Sequence, residues 1–204
     1  MSTIASIRTV ASDRRLIATP PALAAPKSLV LALLSATLVV PAAGGFHGEA
    51  LWLREIVYPV GLSIVPVIWR IRGRRGAYPL AADTFLLVPF AFDACGNTLG
   101  LYGHVDNFDN LSHLVGTFAL AGFAGALLDG RTSDRLLLGI AAAGAAALFG
   151  IGIEVCEWTA FQHPAATGYG AYRDTIGDLA MDLAGAVLGA ATVACRRAAG
   201  QLIS

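Results

Sequence analysis

The sequence predicts an all-α polytopic membrane protein, a six-helix transmembrane bundle with both termini in the cytoplasm. Three observations carry that expectation. Of 204 residues, 56 % are hydrophobic and only 14 % are charged, whereas soluble domains run near a quarter charged. Mean hydropathy is +0.66. Six apolar runs recur along the chain, each long enough for the roughly 20 residues that a span needs. Only helices or closed barrels satisfy their backbone in lipid, and barrel strands would be half as long and alternate. The same composition excludes a disordered chain, a disulfide scaffold and a nucleic-acid partner.

Taken in order, the spans are expected at residues 29–46, 50–69, 80–102, 111–128, 136–158 and 175–194. Residues 1–27 read as a mobile cytoplasmic tail, because Pro20, Pro21 and Pro26 discourage a long helix there. Residues 28–195 form the transmembrane domain, and 196–204 a cytoplasmic C-terminal tail. The pair Arg14-Arg15 precedes an apolar run, and Ala42-Ala43-Gly44 has the look of a cleavage site. The run is long for a signal segment, so the first helix is expected to be retained. Orientation follows the basic residues. With six spans, Arg8, Arg14, Arg15 and Lys27, Arg70 to Arg75, Arg131 and Arg135, and Arg196 and Arg197 share one side. Only Arg54 and Arg173 fall opposite. That places the protein in the inner (plasma) membrane, multi-pass, with the lipid bilayer as its first partner. Cys95, Cys156 and Cys195 have no CxxC spacing and read as small packing residues. Gly185 and Gly189 form a GxxxG on the last span, read as a contact inside the bundle.

The formal net charge of zero hides an asymmetry. Most acids and all four histidines, His47, His104, His113 and His163, fall in the outer half. The positive-inside rule does not require that outer excess of acid. Several of the acids lie deep. Asp93 is about 13 Å below the outer end of its span, and Asp182 about 12 Å below Asp174. A carboxylate at mid-span costs on the order of 3 kcal/mol unless it is compensated. Helical spacing lets these groups share one lumen. Asp174, Asp178 and Asp182 form a stripe four residues apart. Asp93 and Asn97 are also four apart, as are Asp109 and His113, and Glu154 and Glu157 are three apart. The expectation is an outward-opening acidic pocket among spans three to six.

A bound cation would compensate such a pocket. Carboxylates with an imidazole suit zinc, manganese or iron, and carboxylates alone suit magnesium. Within it, Asp178, Asp182, Glu154, Glu157 and Asp174 are the candidate metal or cation ligands. His113 and Asp109 are candidates for acid–base chemistry, and Asp93 and Asn97 would support the pocket. Each residue also has a plainer structural role. Asp174 could cap the last helix, Glu154 and Glu157 could flank Trp158 in an aromatic belt, His113 could simply bond Asp109, and Asp93 with Asn97 could join helices.

Three blocks carry a family resemblance. The segment Phe108-Asp109-Asn110-Leu111-Ser112-His113 resembles the (Y/F)D-x-x-(G/S)H motif of the YjdF-type inner-membrane proteins. Glu154-Val155-Cys156-Glu157-Trp158 is similar to that family's E-x-x-EW, and Asp174-Thr175-Ile176-Gly177-Asp178 to its DT-x-x-D. The blocks stand in the family's order over residues 80–194, with a departure at 159–173, where His163-Pro164 and Tyr169-Gly170 stand in place of a longer loop. A more distant resemblance joins the chain to the VanZ-like proteins, tied to low-level glycopeptide resistance. The resemblance implies a membrane bundle with an envelope role and leaves the reaction open.

Three functions fit these residues. One is a cation-binding centre, which in an enzyme would be that of a metal-dependent hydrolase or transferase acting on a lipid or envelope precursor. Another is a non-catalytic accessory subunit gripping a lipid head group or a membrane protein partner. The third is a proton-coupled transporter, against which the inner half offers only Asp83 and no inverted repeat is visible.

Overall fold

A computed structural model describes residues 21–39, 51–73, 77–159 and 169–198. Among them the chain forms seven α-helices and no strand: α1 (Pro21–Val39), α2 (Leu51–Ile71), α3 (Leu80–Thr98), α4 (Leu101–His104), α5 (Phe108–Leu128), α6 (Arg135–Glu157) and α7 (Tyr169–Ala198). Three stretches, Phe108–Leu128, Arg135–Glu157 and Tyr172–Arg196, are long and apolar enough to cross a membrane. The 21 residues of α5 span about 31 Å, matching a hydrocarbon core of about 30 Å.

Several boundaries differ from the sequence expectation, each for a local reason. The first helix begins at Pro21, not near Leu29. A proline at the first helical position has no N–H to waste, and its φ is already helical. Lys27, expected ahead of the first span, therefore lies inside α1. The third span, expected to run to Tyr102, stops at Thr98. Gly100 adopts φ 67, a left-handed conformation that suits glycine, and the short α4 restarts the chain in a new direction. Asn107, at φ 59, makes a second such bend before α5. The last helix begins at Tyr169, earlier than Thr175. Residues 1–20, the Ala42-Ala43-Gly44 segment, His47, His163 and residues 199–204 lie outside the described residues.

Helices α5, α6 and α7 pack against one another, with α3 laid along α5. Helices α1 and α2 flank the other side of α3. The α5–α7 contact is the most extensive, and the small residues of α7 explain it. A Cβ added at Gly185 would run into the Leu114 carbonyl and the Thr117 hydroxyl, and one at Gly189 into the Phe118 carbonyl. Without side chains at these two points the helix backbones approach closely, as small-residue stripes allow in lipid. The outward surface is apolar: on α6, Leu136, Ile140, Leu148, Phe149, Ile151 and Val155 are exposed. The interior instead holds Lys27, Asp83, Asn97, His113, Thr117, Glu154, Asp178 and Asp182. Charge inside and hydrocarbon outside is the arrangement lipid imposes on functional polar groups.

Helix α6 starts cleanly because the Asp134 side chain accepts from the backbone N–H of Leu136 at 2.8 Å and of Leu137 at 3.2 Å. Such an N-cap satisfies orphan donors of the first turn. Asp134→Ala is expected to lower stability by about 1 kcal/mol, read as a shifted unfolding midpoint in detergent. An unchanged midpoint would show that water or lipid replaces the cap.

Candidate acidic and histidine centre

Helix geometry presents the polar groups in pairs. Asp109 and His113 lie one turn apart on α5, Asp178 and Asp182 one turn apart on α7, and Glu154 and Glu157 three residues apart at the end of α6. Two glycines let the helices close around them. A Cβ at Gly150 of α6 would overlap the Asp182 carboxylate, and one at Gly177 of α7 would press on the Asn110 amide at 2.9 Å.

His113 stands at the centre with only 8 % of its surface exposed. Its Nδ1 lies 3.2 Å from Asp182 Oδ1 and 3.6 Å from Glu154 Oε1. Its Nε2 faces Asp109 Oδ1 at 4.0 Å. Asn110 Nδ2 donates to Asp178 Oδ1 at 3.1 Å, and Thr117 Oγ1 donates to the His113 carbonyl at 2.8 Å. Ligating atoms of Asp109, His113 and Asp178 fall within 4.8 Å of one another, as do those of His113, Glu154 and Glu157. Two buried carboxylate oxygens of the cluster, Glu154 Oε1 and Asp182 Oδ2, have no hydrogen-bond partner among the described residues. A buried acceptor left without a donor costs about 1–3 kcal/mol, more when charged.

Asp174 is exposed. Together with Asp106, Asn107, Asp109 and Asn110, it lines a cavity of about 260 Å³ at the mouth of the cluster. Asp93 and Asn97 form a separate knot. Asn97 Nδ2 donates to Asp93 Oδ1 at 2.8 Å and to its carbonyl at 2.9 Å. Tyr102 donates to Asp93 Oδ1 at 2.8 Å and lies 3.0 Å from Ser112 Oγ, and Arg54 Nε pairs with Asp93 Oδ2 at 3.3 Å. Burial, and then the adjacent Asp93 carboxylate, push the Tyr102 phenol far above its ordinary range, so it keeps its proton and donates. The knot ties α2, α3 and α4 to α5 beside the cluster without a hydrogen bond or ion pair to His113. His104 lies apart from both groups, its Nδ1 2.7 Å from the Gly100 carbonyl.

Some polar positions escaped sequence reasoning. Asn110 holds Asp178, and its signal was its place between Asp109 and His113. At the opposite end of the bundle, Lys27 Nζ lies 2.5 Å from Asp83 Oδ1 and 2.8 Å from the Leu62 carbonyl. Tyr78 donates to Asp83 Oδ2 at 2.5 Å. The carbonyl has a reason to be available: its helix partner would be residue 66, and Pro66 has no N–H. The available signal was this Leu62–Pro66 spacing.

Fold and site together define a helical membrane protein with an internal cluster of acids around one histidine. The chain belongs to the DUF2238 family of predicted membrane proteins, whose profile matches residues 26–199. No curated protein and no solved structure matches it.

Proposed function

We propose that this protein is a six-span inner-membrane protein, with both termini cytoplasmic, whose His113 cluster binds a divalent metal ion in an envelope-related role. One observation carries the reading: Glu154 Oε1 and Asp182 Oδ2 are buried beside His113 Nδ1 and have no hydrogen-bond donor among the described residues. A cation would supply what both oxygens want. One nitrogen with several carboxylates favours zinc, manganese or iron, with magnesium a weaker match. The acids at the mouth, Asp109 and Asp174, would attract a cation toward the seat. The likeness to YjdF-type proteins, and more distantly to VanZ-like ones, supports the envelope role. A metal held there could activate water, the chemistry of a hydrolase or transferase acting on a lipid or envelope precursor. With no such chemistry, the same seat would serve an accessory subunit that grips a lipid head group or a membrane partner.

Elemental analysis of protein purified in mild detergent without chelator tests the reading. The parent is expected to carry near-stoichiometric metal, and a variant combining Asp178→Asn with His113→Ala to lose it. A metal-free parent would overturn the proposal. A second reading, a proton-coupled transporter, draws on Lys27, Asp83 and Tyr78 at the opposite end. It predicts solute uptake into vesicles that collapses with the proton gradient and with Asp83→Asn.

A further inference from the structure

We infer that the end of the bundle opposite the His113 cluster holds one anionic phospholipid, with its phosphate on Arg196 and an acyl chain in a cleft between α3, α5 and α7. Phe85 of α3, Phe118 of α5, and Gly189, Thr192 and Val193 of α7 line this cleft, and Arg196 stands at its end. The Phe85 ring lies directly on Gly122 of α5, and the Phe118 carbonyl lies against Gly189. These close approaches draw the three helices together and leave half-buried aromatic rings as the walls. The cleft opens to the outside of the bundle, where Leu188 and Thr192 are exposed. Thr192 donates its hydroxyl proton to the Leu188 carbonyl at 2.9 Å, so it offers no free donor to a hydrocarbon chain.

Charge selects the head group. Arg196 is the last residue of the apolar stretch Tyr172–Arg196 and is exposed. Among the described residues it has no ion-pair or hydrogen-bond partner. From Gly189 to Arg196 the helix rises about 10 Å, so a chain lying along the cleft brings its phosphate to the guanidinium. That group presents five donors in a planar fork that matches phosphate oxygens. The surroundings add positive charge. A Cβ at Gly125 would meet Val193, and one at Gly139 would touch Ala194. These contacts set the end of α7 beside the α5–α6 turn, whose Arg131 and Arg135 are exposed. The acids at this end are engaged: Asp83 with Lys27, and Asp129 and Asp134 with backbone N–H groups. A zwitterionic lipid would bring its own ammonium into that field, whereas an anionic lipid brings none, and basic clefts between helices favour anionic head groups.

Native mass spectrometry of the full chain in detergent, titrated with phosphatidylglycerol or phosphatidylcholine, tests the site. The expected result is one tightly held phosphatidylglycerol per chain, bound at least about fivefold more tightly than phosphatidylcholine, the factor one arginine contributes near an anionic surface. Arg196→Gln is expected to erase that preference. Thr192→Trp fills the cleft while keeping every charge, and is expected to weaken phosphatidylglycerol binding about as much. Arg72→Gln is the control: it removes an exposed arginine at the same end, on α2, which packs with α1 and α3 and not along the cleft. It should leave the first lipid in place. All three positions are exposed, and unfolding midpoints equal to the parent's show that the variants are folded. Equal binding of the two lipids, or no bound lipid, overturns the proposal. So does an Arg72→Gln loss as large as that of Arg196→Gln, which would mean diffuse attraction to a basic surface. Parent-like binding in Thr192→Trp would overturn the cleft as the seat.

Discussion

Lys27→Met is expected to destabilise the protein by about 3–5 kcal/mol, the usual result of leaving a buried charge without its partner. Asp83 is fully buried, and Lys27 is the one cation paired with it among the described residues. Removing the ammonium also strands the Leu62 carbonyl, which Pro66 already deprives of a helix donor. Two further variants separate these effects. Combining Lys27→Met with Asp83→Leu removes both charges and is expected to recover most of the loss, since a buried ion pair often breaks even against apolar packing. Adding Pro66→Ala to Lys27→Met supplies an N–H to the Leu62 carbonyl and should recover about 1 kcal/mol, one ordinary hydrogen bond. Equilibrium unfolding in a fixed detergent measures all three. A single variant as stable as the parent, or a double variant no better than the single, would refute the buried pair as a structural clip.

Gly185→Val is expected to cost about 1–3 kcal/mol or more by overpacking the α5–α7 contact, and to weaken cation binding at least tenfold. The two effects share one cause. The new side chain displaces the Leu114 carbonyl and the Thr117 hydroxyl, and Thr117 is bonded to the backbone of His113. Separating α5 from α7 moves His113 away from Asp182, whose 3.2 Å contact leaves no slack. Gly144→Ala on α6 is the matched control. Its Cβ meets nothing within 4 Å, and alanine favours a helix over glycine by about 1 kcal/mol. It should leave stability equal or slightly raised and binding unchanged. Parent-like metal affinity in Gly185→Val would show that the close approach does not position the site.

How much was legible in the sequence follows from what is local. The pairs Asp109 with His113, Asp178 with Asp182 and Asp93 with Asn97 came from helical spacing, because a turn of helix depends only on neighbours. That Asp182 and Glu154 meet the same ring nitrogen depends on three helices packing, and spacing cannot give a distance between helices. Asp93 looked like part of the same lumen, yet its oxygens are occupied by Arg54, Asn97 and Tyr102. The left-handed bend at Gly100 turns Tyr102 back toward it, and nothing in an apolar run reveals that bend. Lys27 read as a topology charge because the prolines around it suggested a break, whereas Pro21 in fact opens the helix.

The order in which the cluster is synthesised has a consequence for membrane insertion. His113 and Glu154 belong to α5 and α6, and Asp178 and Asp182 to α7, which is made after both. That helix carries two carboxylates into the membrane, each costing on the order of 3 kcal/mol if it enters alone. The hairpin of α5 and α6, with its imidazole and the Asn110 amide already in place, offers those carboxylates a polar dock. Helices α5 and α6 thus act as the receptor for α7. A chain stopped before Asp178 would leave His113 and Glu154 without the Asp182 carboxylate and the Asn110 amide without Asp178.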